Sequence, residues 1–147
     1  MTKQAVHVAI AILYQQGHFL LQLRDDFPHI IYPGCWGLFG GHLEPGETPE
    51  EGLKRELLEE IDYDISEPVK FGIYCDERAF RHVYHSPLNV PLEQLILKEG
   101  ADLALVSPAD IEQGNSHSPK LGKIRPIGLI HKKILLDFIH SFQNCVD

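Results

Sequence analysis

Cysteine is scarce in this chain. Three residues, Cys35, Cys75 and Cys145, are spread over 147 positions. An odd and widely spaced set argues against a disulfide framework and for a reducing compartment, so cytoplasmic residence is the expectation. A run of about 20 apolar residues, the length that a membrane-spanning helix requires, is also lacking. So is an N-terminal charged segment followed by an apolar core and a cleavage site. Neither secretion nor membrane insertion is expected. Basic residues are outnumbered: 21 acidic side chains face 13 Lys and Arg, a formal net charge of −8. That balance excludes the basic footprint needed by long nucleic acid or by an anionic membrane surface, while a small phosphorylated partner carried with a cation stays compatible. Repeats, low-complexity tracts and linkers are missing. Nine histidines are present, but His82, His85, His117, His131 and His140 show no zinc-signature spacing.

The remaining composition is that of a chain able to bury a sizeable core. At 44% hydrophobic residues, 1–147 is expected to form one compact domain. Ala5 to Tyr14 and His18 to Arg24 are apolar, β-prone runs separated by Gln15-Gln16-Gly17, which predicts a hairpin. Asp25 to Gly34, with Pro28 and Pro33, reads as irregular, and Trp36 to Phe39 follows it. Further strands are predicted at Val69 to Tyr74, His82 to Pro87 and Gln94 to Leu97. Ser107-Pro108 starts a short helix, and Gln113 to Lys123, rich in Gly, Asn, Ser and Pro, reads as a surface loop. From Ile127 to Phe142, the apolar residues Ile130, Ile134, Leu135, Phe138, Ile139 and Phe142 recur at helical spacing and mark one buried face. Strands, helix, strands, helix is the order of an α/β sandwich with a mixed sheet between helices.

The most specific stretch is GGHLEPGETPEEGLKRELLEEIDY, from Gly40 to Tyr63. Pro45-Gly46 is turn chemistry. Thr48 and Glu51 form a capping box, and Pro49 suits the first helical position because its missing N–H would have had no partner there. On the helix that follows, Glu56 stands three residues from Glu59 and four from Glu60, so these carboxylates share a face. Crowded carboxylates repel one another unless cations intervene, and hard divalent cations prefer oxygen ligands. RELLEE alone reads equally as a solvated face laced with ion pairs among Glu50, Glu51, Lys54, Arg55 and Glu59. The glycine turn, Glu47 and the full spacing favour a metal site. If each fixed type fills about one position in fifteen, then Gly41, Glu47, Arg55, Glu56, Glu59 and Glu60 coincide by chance about once in ten million windows.

Within this stretch, Gly41 to Tyr63 resembles the Nudix box. The resemblance implies an α/β/α sandwich fold and a hydrolase that cleaves a diphosphate linkage in a nucleoside diphosphate derivative by water attack at phosphorus. Mg²⁺ is the implied cofactor, with Mn²⁺ as a substitute. By position, Glu59 and Glu60 are implied as the principal metal ligands, Glu56 as a further ligand or the base, and Gly40 as a backbone-carbonyl ligand. Glu47 and Arg55 are implied as a supporting ion pair. Glu99, in Leu97-Lys98-Glu99-Gly100, is a candidate ligand or base, with a turn-forming strand end as the equal alternative. Two positions depart from the family pattern. Asp62 stands where a helix-closing glycine is usual, and aspartate tolerates the left-handed conformation. Phe39 stands where proline often precedes the glycines.

Arg24 and Arg81, with Arg78, are candidates to meet phosphate oxygens. Tyr32, Trp36, Phe80 and Tyr84 are candidates to stack on a base, Trp36 being assigned to the core instead. The implied partner is a small nucleotide: an oxidised or ordinary nucleoside triphosphate, a nucleotide sugar or an ADP-ribose-like compound. A homodimer is the expected assembly. Two alternatives are a catalytically silent nucleotide sensor of the same fold, against which the intact carboxylates argue, and an isomerase of isoprenoid diphosphates. The latter would be expected to carry cysteine where this chain has Gly40.

Overall fold

The computed structural model describes residues 6–26 and 33–146, with side chains described through 141. Ala5, Tyr32, the Cys145 and Phe142 side chains and most of the irregular insert therefore lie outside the described residues. The chain divides into two compact units, each built from separate stretches: residues 1–13 with 39–98, and residues 14–38 with 99–147.

The first unit holds most of β1 (Val6–Gln15), then β4 (Phe39–His42), α1 (Pro49–Ile61), β5 (Val69–Cys75) and β6 (Ala79–Pro87). β4 runs antiparallel to β1, pairing Ile10 with Gly40 and Ala9 with Gly41, and β5 runs antiparallel to β6. β6 also neighbours β1. α1 forms where the local signals place it. The Thr48 hydroxyl accepts from the Glu51 N–H at 3.2 Å, while the Glu51 carboxylate accepts from the Thr48 N–H at 2.9 Å. At the other end Asp62 adopts φ 54° and ψ 38°, the left-handed cap expected of the missing glycine. α1 buries Gly52, Leu53, Leu57, Glu60 and Ile61, a helical stripe that packs towards β4. Leu53, Leu57 and Ile61 are completely buried, each a contribution of about 1.5–3 kcal/mol relative to exposure.

Gln94 to Leu97 is not a strand. Leu92–Gln94 is a 3-10 turn, and the backbone N–H groups of Ile96 and Lys98 donate to the carbonyls of Ile61 and Glu60. These carbonyls lie in the last turn of α1, where the helix has no internal donors left to offer. The apolar run is thus spent closing a helix end.

The second unit contains β2 (His18–Leu23), β3 (Trp36–Gly37), β7 (Asp102–Val106), α2 (Pro108–Gln113), β8 (Asn115–Ser118), β9 (Lys123–Pro126) and α3 (Leu129–Val146). β2 pairs antiparallel with β3, with β7 and with the last two residues of β1, and a parallel bridge joins Trp36 to Ile127. The Ser107 hydroxyl caps α2. Ile134, Leu135 and Phe138 of α3 are buried as the periodicity predicts, with Phe138 meeting Phe19 edge to face at 6.0 Å. Trp36 is fully buried, and its indole N–H donates to the Ser116 carbonyl at 3.0 Å.

Residues 113–123 do not form the surface loop their composition suggests. β8 and β9 make an antiparallel hairpin with Ser116 and Ser118 buried. β7 is likewise a strand where none was expected from the sequence.

Candidate active site

The glycine turn and α1 bring four of the singled-out residues together. Arg55 is the hub. Its Nε donates to Glu47 Oε2 at 2.8 Å and its Nη2 donates to Glu47 Oε1 at 3.0 Å, a two-pronged contact of the kind guanidinium makes best. Nη1 donates to Glu56 Oε1 at 3.0 Å and to Glu59 Oε2 at 3.3 Å, and Nη2 also reaches the His42 carbonyl at 3.1 Å. Arg55 has five N–H donors, and these five contacts account for all of them.

Glu47 sits at the loop end, where its Oε1 also accepts from the Glu44 N–H at 2.9 Å. Hydrogen bonds from Arg55 and from that backbone N–H hold its carboxyl well below the usual range, at about 2. Arg55 is in turn pushed further above its already high value, by Glu47 first and then by Glu56. The implied Glu47–Arg55 pair is thus present as a geometric fact. His42 and Glu44 join the network without having been singled out by the sequence, since one contributes only its backbone carbonyl and the other its N–H. Glu44 also places a carboxylate oxygen 3.7 Å from Arg55 Nε.

The two glycines have separate reasons to lack a side chain. Gly40 has φ 151°, and a Cβ there would run into the Ala9 carbonyl oxygen of β1. A Cβ on Gly41 would lie 2.5 Å from the carboxyl carbon of Glu56. The Glu56 carboxylate therefore rests on the face of Gly41, in a space that any other residue would fill.

Glu59 is largely exposed at the side chain, whereas Glu60 is only 8% exposed and its backbone carbonyl accepts from Lys98. The Lys98 ammonium also donates to the Leu58 carbonyl at 3.3 Å. Among the described residues no three carboxylates, imidazoles or thiols converge as they are placed. Nη1 of Arg55 instead takes oxygens of two box glutamates. The donor set nevertheless suits a hard divalent cation chemically: oxygen donors on one helix, beside a glycine that leaves one of them room. Coordination would require Glu56 and Glu59 to exchange their Arg55 contact for the cation.

The other singled-out residues fall elsewhere. Arg81 of β6 is 8% exposed and donates to Asp76 Oδ2 at 2.9 Å, so an ion pair already engages it. Arg78 is exposed. Arg24 and Glu99 belong to the second unit. Arg24 is half-buried, its Nε buried and without a hydrogen-bond partner among the described residues, and Glu99 is exposed beside Gly100.

Comparison with known proteins bears on the family and the fold. The NUDIX domain profile matches residues 3–125. Nucleoside triphosphatase NudI of Escherichia fergusonii is 29% identical, over 72% of this chain and 84% of that protein. The crystal structure of a MutT protein from Methanosarcina mazei Go1 is similar with a TM-score of 0.70 at 21% identity, covering 96% of this chain and 97% of that one. A MutT NUDIX hydrolase from Burkholderia pseudomallei gives 0.67 at 19% identity, covering 88% and 95%. The structural likenesses show the α/β fold of these proteins. With the profile spanning most of the sequence and the box helix built as described, the chain belongs to the Nudix family.

Proposed function

We propose that the protein is a divalent-metal-dependent nucleotide pyrophosphohydrolase, 1–147 forming one catalytic domain. The observation that carries this reading is the carboxylate cluster around Arg55, in which Glu47 of the loop and Glu56 and Glu59 of α1 share a single guanidinium. Three carboxylates against one guanidinium leave two formal negative charges, the electrostatic condition for holding a divalent cation.

Glu59 and Glu60, with Glu56 and the Gly40 carbonyl, would hold Mg²⁺, Mn²⁺ being able to take its place. When bound, such an ion neutralises charge on the bridging and leaving oxygens and acidifies the attacking water. Glu47 anchors Arg55, and Arg55 in turn sets where Glu56 and Glu59 lie. Water adds to phosphorus, its proton passes to a carboxylate, and the bridging P–O bond breaks. Glu56 is the proposed proton acceptor, with Glu99 the other candidate. Arg24, whose Nε is uncommitted among the described residues, is the proposed phosphate contact, with Arg81 as a second.

For the substrate we propose a nucleoside triphosphate, supported by the relatives named nucleoside triphosphatases. Oxidised nucleotides, nucleotide sugars and ADP-ribose remain members of the test panel. Reduced Cys35 and Cys75 fit residence in the cytoplasm, and a homodimer is the proposed assembly.

The test is product release across that panel with Mg²⁺, with Mn²⁺ and with EDTA, in the wild type and in Glu59→Gln. Turnover that depends on metal and is lost in the variant is the expected result. Tight binding of a nucleotide without cleavage under any condition would favour the sensor reading instead.

A further inference from the structure

Three rings on the neighbouring strands β1 and β6 are not used by the hydrolytic scheme. His7 and Phe80 stack with centroids 4.9 Å apart and 13° between their planes, and His7 and His82 lie 5.2 Å apart at 21°. His7 Nδ1 and His82 Nε2 are 2.9 Å apart, so one nitrogen donates to the other and the two imidazoles fix each other's orientation. Phe80 keeps 37% of its surface exposed. Beside the rings opens a cleft of about 450 Å³, lined by His7, His82, Leu43, Pro45, Glu44 and Glu47. That volume falls within the usual range for small-ligand sites.

The lining says which part of a nucleotide fits. No lysine or arginine contributes to it among the described residues, so the cleft is unsuited to phosphates. Its walls instead combine flat rings, apolar Leu and Pro surface and carboxylate oxygens. Burial, with His7 and Lys70 nearby, holds the His82 imidazole below its usual range and so towards the neutral form. Every nucleobase has a π-face that can stack on such a surface. The exposed Glu44 carboxylate can accept an N–H that only some bases present. Glu47 is at once a wall of this cleft and the anchor of Arg55, which makes the cleft adjacent to the carboxylate cluster.

We propose that this cleft is the base subsite of the nucleotide, in which a planar base stacks on the paired imidazoles of His7 and His82, with Phe80 stacked against His7, and donates its exocyclic amine to Glu44. The proposal rests on the nucleotide reading above. Adenine, guanine and cytosine are thereby preferred over uracil.

The experiment is an NMR titration of the full chain with adenosine, guanosine, cytidine and uridine, following the imidazole resonances, alongside steady-state kinetics on the matching triphosphates. Adenosine, guanosine and cytidine are expected to shift the His7 and His82 rings more strongly than uridine does. His7→Ala and His82→Ala should each weaken nucleoside binding about five-fold or more, the low end for losing one base–aromatic stack. His7→Phe, which keeps a flat ring, should restore it. In kinetics the two alanine variants should raise KM while kcat holds, and Glu44→Gln should erase the preference for amine-bearing bases. Unmoved imidazole resonances with all four nucleosides, or KM unchanged in both alanine variants, overturns the subsite. Nucleoside binding at these rings with no triphosphate hydrolysis would keep the subsite and sink the hydrolase reading. Hydrolysis with unaltered KM would do the reverse.

Discussion

Two of the molecule's carboxylate networks, one in each unit, have partners that differ in kind. In the second unit, Asp102 is 8% exposed and accepts from the Ser118 hydroxyl at 2.6 Å, from the Leu103 N–H at 2.8 Å and from the Lys120 N–H at 3.2 Å. Ser118 accepts in turn from the Leu121 N–H. One carboxylate meets several neutral donors, most of them backbone, and both of its oxygens are engaged. In the first unit, Glu47, Glu56 and Glu59 crowd around one Arg55, and negative charge remains in excess. A saturated carboxylate ties backbone segments together. A cluster short of positive charge keeps oxygens available for exchange, and that is the property a metal-dependent site requires.

The contrast breaks most sharply in activity. Glu56→Gln, which keeps the shape but removes a ligand charge and the proposed proton acceptor, should lower kcat by about 10²–10⁴-fold, with thermal unfolding little changed. Gly41→Ala should also cost activity severely, because its Cβ claims the space of the Glu56 carboxylate. Both are read by steady-state kinetics beside circular dichroism.

Asp102→Ala should behave oppositely. It strands buried donors around Ser118 and is expected to cost about 2–4 kcal/mol of stability in urea unfolding, with kcat per folded molecule nearly retained.

Acid separates the networks further. The folded Glu47 carboxyl is held at about 2 against an ordinary 4.5. It therefore binds a proton less readily folded than unfolded, so its contribution is complete above about 4.5 and fades as pH falls towards 2. Glu47→Gln should flatten the stability profile in that window, as followed by urea titrations at stepped pH. The smallest effect is expected from Thr48→Ala, about 1 kcal/mol from a lost N-cap, measured in the same way.

The difference between the units also explains how much was legible in the sequence. α1 was readable down to its caps because each signal is local: Thr48 with Glu51, Pro49, and Asp62 in the left-handed conformation. The Arg55 network follows from spacing along that one helix and its loop. α3 was readable from apolar periodicity. β8 was not, because the residues it buries are Ser116 and Ser118, whose hydroxyls donate to Asp110 and Asp102. A strand that buries serines carries no hydrophobic alternation. Gln94 to Leu97 misled for the converse reason: its apolar run looks strand-like, while its N–H groups are taken by the end of α1. The rings of His7, Phe80 and His82 meet across strands far apart in sequence, and spacing holds no trace of them.

The most direct test of the central claim is a calorimetric titration of Mn²⁺ into the wild type, Glu59→Gln and Asp102→Asn at one pH. Charge excess at α1 predicts that Glu59→Gln loses most of its metal affinity while Asp102→Asn keeps it. Equal affinity in wild type and Glu59→Gln would contradict the account.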